Sequence, residues 1–247
     1  MTMSKKKQKL SVTLLIAALV GVLVLTSVSA FGWIGNSGNS GSGGASDPAA
    51  SADEPSKAQK NALLALARRD AKDPYAMGKT DAPVVMIEYA DFQCSFCGKF
   101  ARDTKPELVK KYVDEGVLRI EWRQFPIFGK ESETAALAGY AAGQQGKFWD
   151  FHDVAYGEER RKNSGAFAQD KVEAMAREAG VPDLDRFVKD MKSEDARTAV
   201  NKDTGEGYNL GVSSTPAFLV NGQPVLGAQP AEVFTSAIEQ ARKAAAE

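Results

Sequence analysis

The chain has 247 residues, 43% of them hydrophobic and 26% charged, with a formal net charge of −1. That length allows one large domain or two small ones, and that composition can build a sizeable core. Residues 1–30 carry only Lys5, Lys6, Lys7 and Lys9; the rest holds 27 basic against 32 acidic residues, a balance that excludes nucleic acid as the natural partner. Two cysteines are too few for a disulfide scaffold.

The first element is Leu10 to Phe31, "LSVTLLIAALVGVLVLTSVSAF", with no charge between Lys9 and Asp47. A helix of that length is about 33 Å long and crosses a hydrocarbon core of ~30 Å. The lysines before it stay on the cytoplasmic side, which puts the body outside. Two readings stand. One is an uncleaved single-pass anchor; the other is a signal peptide cut after Val28-Ser29-Ala30. Both export the body to a compartment where disulfides persist. Gly35 to Pro55, "GNSGNSGSGGASDPAASADEP", then reads as a flexible linker with an end-to-end distance of ~25 Å.

Residues 56–73 are predicted to be a helix, with Leu63, Leu64 and Ala67 on one side. "PVVMIEYA", 83–90, is a continuous apolar strand broken only by Glu88, the pattern of a strand buried on both faces. A helix over 95–115 follows, kinked at Pro106 and stopped by Gly116. A second strand covers 117–125, so strand, helix and strand form a parallel crossover. Helical patterns then run through 132–145, 147–156 and 167–179. Leu184, Phe187, Val188 and Met191 mark another amphipathic face. Strands resume at 217–220 and 224–226, joined by Asn221-Gly222, a hairpin turn signal. Residues 231–245 close the chain as a helix. The predicted organisation is α/β with a helical insertion: 1–34 anchor or signal, 35–55 linker, 56–130 first α/β part, 131–203 insertion, and 204–247 second α/β part.

The chemistry centres on "DFQCSFCGKF", which holds Cys94 and Cys97, the only cysteines. Cys94 falls at a strand-to-helix junction, where the helix dipole and free N–H groups stabilise a thiolate. Cys97 lies one turn later, within bridging reach and less exposed. Such a pair exchanges disulfides: a thiolate attacks one sulfur and a second thiol resolves the mixed disulfide. Zinc would need four ligands, yet there is no second cysteine pair and His152 is the single histidine, so no metal is predicted. His152, in "WDFHDV", reads as a packing or helix-surface residue. A purely structural bridge gains little from closing so small a loop. Glu88, six residues before Cys94, is a carboxylate in an apolar strand; burial raises its pKa and lets it exchange protons with Cys97. Thr215-Pro216 opens a later strand, where an X-Pro bond is the realistic site of a cis peptide.

Together these residues resemble the DsbA-like thiol:disulfide oxidoreductase family, a thioredoxin fold with an inserted helical domain. The likeness covers about residues 75–245 and is carried by "DAPVVMIEYADFQCSFC", "EWRQFPIF" and "GVSSTPAFLVNGQPVLGAQP". The resemblance implies that Cys94 is the nucleophile, Cys97 the resolving thiol and Glu88 the buried acid. It also implies that Pro216 is a cis-proline facing the disulfide and that the backbone of Thr215 pairs with substrate. Ser95-Phe96 departs from the Pro-His dipeptide of strongly oxidising members; Phe96 offers the thiolate no hydrogen bond, which points to a less oxidising couple. No cofactor is implied. The implied partners are unfolded exported chains with free cysteines and a membrane quinone-linked oxidase that restores the disulfide. A reductase or isomerase of the same fold, and a non-catalytic binding module with a structural bridge, are the alternatives.

Overall fold

The computed structural model describes residues 57–247. The expected anchor or signal, 10–31, and the linker, 35–55, lie outside the described residues. Among the described residues no helix is long and apolar enough to cross a membrane.

In chain order the elements are α1 (Lys57–Leu64), β1 (Ala76–Met77), β2 (Val84–Ala90), α2, β3 (Leu118–Gln124), α3 (Lys130–Gly143), α4 (Phe148–Tyr156), α5 (Gln169–Glu178), α6 (Leu184–Met191), α7 (Glu194–Asn209), β4 (Ala217–Val220), β5 (Gln223–Leu226) and α8 (Ala231–Ala244). Here α2 is a composite: α-helical Ser95–Lys99, π-helical Phe100–Thr104, α-helical Lys105–Leu108 and π-helical Val109–Val113. The widened turn replaces the kink expected at Pro106. Lys105 N–H reaches back five residues to the Phe100 carbonyl. Pro106 then sits in the first turn of a new α segment, where its missing N–H removes no bond.

The sheet has the order β1-β3-β2-β4-β5. β2 and β3 are parallel, as a crossover through α2 requires, with Glu88 opposite Trp122 and Ile87 opposite Glu121. β4 lies antiparallel to β2, and β5 to β4. The β4–β5 turn has φ of 44° at Asn221 and 84° at Gly222, two left-handed residues that match the twist of a two-residue hairpin.

Side chains alternate across the sheet, so each strand serves two cores. Val84, Met86, Leu118, Ile120 and Phe218 pack against α2 and α8. Toward the C-terminal ends of β2 and β3 that layer gives way to the helical insertion, where Ala90, Phe92, Cys97 and Trp122 meet the alanines of α3 and the aromatics of α4. The opposite face buries Val85, Ile87, Tyr89 and Phe125 under α1 and the end of α7.

Two parts of the predicted organisation differ. The first helix ends at Leu64 rather than near residue 73, because the N–H groups of Arg68 and Arg69 turn away from the helix and donate to the Glu121 carboxylate, both at 2.9 Å. No helix was expected over 194–209, yet α7 runs unbroken past residue 203, where the sequence boundary of the insertion falls. Its contact surface is small side chains. A Cβ on Gly207 would lie 2.6 Å from the Phe125 ring, so the glycine sets how closely α7 approaches the sheet.

Candidate active site

β2 ends at Ala90, and the chain turns through Asp91, Phe92 and Gln93 into α2. Asp91 holds this turn. Its carboxylate accepts from Gln93 N–H at 2.8 Å, Ser132 Oγ at 2.7 Å and Ile127 N–H at 2.7 Å, which ties the segment to the loop after β3 and the start of α3. Gln93 donates to Ser132 Oγ and accepts from Asn163 N–H, a residue of the loop after α4. Cys94 is thereby placed as the N-cap of α2, with extended backbone at φ −77° and ψ 115°.

The Cys94 sulfur accepts from Cys97 N–H at 3.4 Å and lies 3.2 Å from the Thr215 carbonyl, to which its thiol donates. The Thr215–Pro216 bond is cis. Cys94 is only 3% exposed, more covered than its predicted place at a helix start implied; the open residues of the motif are Ser95 and Phe96, the latter 62% exposed. Both cysteines are free thiols. The two thiols diverge electrostatically. The Cys94 pKa is drawn down to about 6, first by the Cys97 thiol donating to it, against the effect of burial, with help from the N–H groups of Cys97 and Phe96. Burial pushes the Cys97 thiol well up, reinforced by the bond it donates to Cys94 and by the charges of Cys94 and Glu88.

Glu88 is fully buried on the β2 face that points toward α2 and α4, and neither carboxylate oxygen has a hydrogen-bond partner. Burial raises its pKa to about 8, opposed by the positive charge of Lys105 and reinforced by Cys94. Such a group is half-charged near pH 8, so it can take up or release a proton within reach of neutral pH.

The geometry gathers the predicted residues Glu88, Cys94, Ser95, Phe96, Cys97, Thr215 and Pro216 at one end of the sheet, and it adds others. Lys105 is buried, with Nζ 2.8 Å from Asp153 Oδ1 and 3.1 Å from His152 Nδ1, and lies over the Trp149 ring. Tyr156 donates to the Asp91 carbonyl at 2.8 Å. A signal for Lys105 exists in the sequence: it shares a helical stripe with Ala101, Leu108 and Tyr112, all core residues. Among the described residues no group of three or more His, Cys, Asp or Glu is placed to hold a metal ion.

A free cysteine at a helix N-cap with a buried partner one turn on is, on this fold, the arrangement of a thiol:disulfide oxidoreductase. Residues 70–240 match the family described as Thioredoxin. The chain belongs to that family, in its DsbA-like group of thiol:disulfide oxidoreductases. It is 33% identical over 151 residues to a "Probable disulfide bond formation protein D" of Bacillus cereus, which covers 60% of this chain and 69% of that protein. The crystal structure of oxidised BdbD from Bacillus subtilis superposes with a TM-score of 0.65 at 23% identity, over 70% of this chain and 95% of that one. A thioredoxin-like oxidoreductase from Silicibacter pomeroyi DSS-3 gives 0.62 at 28% identity, over 74% and 97%.

Proposed function

We propose that the protein is an exported dithiol–disulfide oxidase that introduces disulfides into unfolded chains on the outer side of the membrane. The observation that carries this reading is the asymmetry of the two sulfurs: Cys94 caps the start of α2 and accepts from the Cys97 N–H, while Cys97 lies fully buried one turn on. A stabilised Cys94 thiolate stabilises the reduced protein, which makes the disulfide the stronger oxidant.

A substrate thiolate attacks Cys94 Sγ of the disulfide; the S–S bond breaks and its electron pair leaves on Cys97. Glu88 supplies the proton that neutralises the Cys97 thiolate. A second substrate thiolate then attacks the substrate sulfur of the mixed disulfide, and Cys94 departs as a thiolate, a good leaving group because of its low pKa. The backbone of Thr215 offers a short edge for pairing with an extended chain, a mode that tolerates varied sequences. A membrane quinone-linked oxidase would take the two electrons and restore the Cys94–Cys97 bond. Export rests on the apolar stretch 10–31, as an anchor or a cleaved signal.

One observation favours a weaker oxidant, or a reductase or isomerase: Phe96, exposed and apolar, gives the thiolate no side-chain donor. The reduction potential separates them, about −120 mV for a strong oxidase and about −270 mV for a reductase. The site itself is tested by Cys94→Ser, expected to abolish exchange, and Cys97→Ser, expected to accumulate substrate adducts on Cys94. Loss of activity in both without adducts assigns the sulfurs wrongly.

A further inference from the structure

Several buried polar atoms near Glu88 have no hydrogen-bond partner: both Glu88 oxygens, Trp122 Nε1, Trp149 Nε1 and His152 Nε2. They form one neighbourhood. Trp122 stands opposite Glu88 in the sheet, and the His152 ring lies 5.3 Å from the Trp122 ring and 5.2 Å from the Trp149 ring. Orphan donors and acceptors in one buried spot are the setting in which an internal water is retained.

The other end of this neighbourhood is open. His152 is fully buried, but its Nδ1 lies 2.8 Å from Asp153 Oδ1, and the Asp153 side chain is 67% exposed. Lys105 Nζ lies 3.1 Å from the same Nδ1. Each tautomer of the ring therefore has a partner waiting. A protonated Nδ1 donates to Asp153; a bare Nδ1 accepts from Lys105. Exchange between the tautomers moves a proton from one side of the ring to the other without charging it. Burial, with the nearby Lys105 charge, holds the His152 pKa down at about 4, so the ring stays neutral at physiological pH.

We propose that His152 and Asp153, with Lys105 holding the ring, form the conduit through which Glu88 exchanges its proton with solvent, by way of a water bound between Glu88 and His152 Nε2. This rests on the reading of Glu88 as the proton donor to Cys97. In each oxidation of substrate, Cys97 takes a proton from Glu88. The Glu88 carboxylate regains one from the water, which takes one from His152 Nε2, while Nδ1 is reprotonated from the Asp153 side. One proton enters from solvent per disulfide transferred, and reoxidation runs the path backwards. The other titratable groups around the path are Cys94, Asp91 and Tyr156, whose hydroxyl is committed to the Asp91 carbonyl; Arg102, Lys110 and Asp114 line the groove into which Lys105 and Asp153 open.

The test is single-turnover reduction of the oxidised full-length protein by a cysteine peptide, across pH 6–9 and in H₂O and D₂O. Asp153→Asn alters an exposed side chain. It is expected to slow the Cys97-dependent step at least about tenfold at pH 7, to alter its pH profile and to change the solvent isotope effect. The Cys94 alkylation pKa should stay as in wild type. His152→Phe, which keeps the ring packing, should give the same phenotype. If it fails to fold, Asp153→Asn decides alone. Rates within twofold of wild type and an unchanged pH profile in Asp153→Asn overturn the conduit. Glu88→Gln keeps the outcomes apart: slow exchange there beside normal exchange in Asp153→Asn rejects the conduit and leaves the proton donor standing. Normal exchange in Glu88→Gln rejects the proton donor itself.

Discussion

Glu88 on β2 and Glu121 on β3 are both fully buried, on adjacent strands, one step apart in register and on opposite faces of the sheet. They differ in everything else. Glu88 has no hydrogen-bond partner, and burial lifts its pKa to about 8. For Glu121 burial also opposes ionisation, but the Arg68 N–H, Arg119, the Arg69 N–H and Arg123 together outweigh it and hold the pKa at about 2. Arg119 and Arg123 reach it at 2.9 Å each, and Arg123 continues to Glu206 at 3.0 Å. One carboxylate is a permanent structural anion; the other is left free to change charge. Identical residues acquire opposite uses because their donors differ, and burial alone predicts neither.

The comparison breaks most sharply at Glu121. Glu121→Gln keeps the shape but leaves buried Arg119 without a counter-charge and Arg123 with Glu206 alone. Stability is expected to fall by ~3–5 kcal/mol, read from chemical denaturation. Glu88→Gln should do the reverse. At pH 7 the unfolded chain ionises this group freely and the fold resists it, so the neutral amide should stabilise the reduced protein by roughly 3 kcal/mol while thiol exchange slows.

Stability against pH sharpens the contrast further. Glu88 titrates higher in the fold than out of it, so its contribution is full below about 4.5 and is lost as pH rises toward 8. Glu121 titrates lower in the fold, so its contribution is full above about 4.5 and is lost as pH falls toward 2. Glu88→Gln should flatten the fall in stability between about pH 4.5 and 8 and Glu121→Gln the fall below about 4.5, each by up to ~1.4 kcal/mol per pH unit. A wild-type curve that neither variant changes would refute both assignments. The smallest effect is expected at the rim of the ionic network. Arg68→Ala removes the ion-pair partner of Asp203 but keeps the backbone bond to Glu121, and should lower stability by ~1–2 kcal/mol, read from chemical denaturation, with exchange activity unchanged.

The readable half of this contrast was Glu88. A single acid in "VVMIEYA" violates the pattern of a strand buried on both faces, and a violation is what sequence reasoning detects. Glu121 sits in "LRIEWRQ", where Arg119, Glu121 and Arg123 alternate with Ile120 and Trp122, the pattern of a strand with one wet face; the structure buries both. The sequence cannot say that the cations of one strand find the carboxylate between them, or that residues 66–70 fold over to close the network through the Leu66 and Asp70 carbonyls. For the same reason the predicted first helix overruns the observed one, whose end is fixed by an acceptor 52 residues away. The cysteine pair, the Thr215-Pro216 step and the Asn221-Gly222 turn were legible because each is local chemistry. Lys105, His152 and Asp153 come from two helices, and only the fold brings them together.

The ties of Asp91 and Gln93 give the site a mechanical character. The turn before Cys94 is bolted to Ser132, Ile127 and Asn163, on the side of the helical insertion. Thr215 lies in the loop that enters β4, which pairs with β2. The 3.2 Å contact between the Cys94 sulfur and the Thr215 carbonyl therefore lies on a seam between two separately clamped jaws. Both sets of ties meet at that one gap, so its width is fixed from two sides at once.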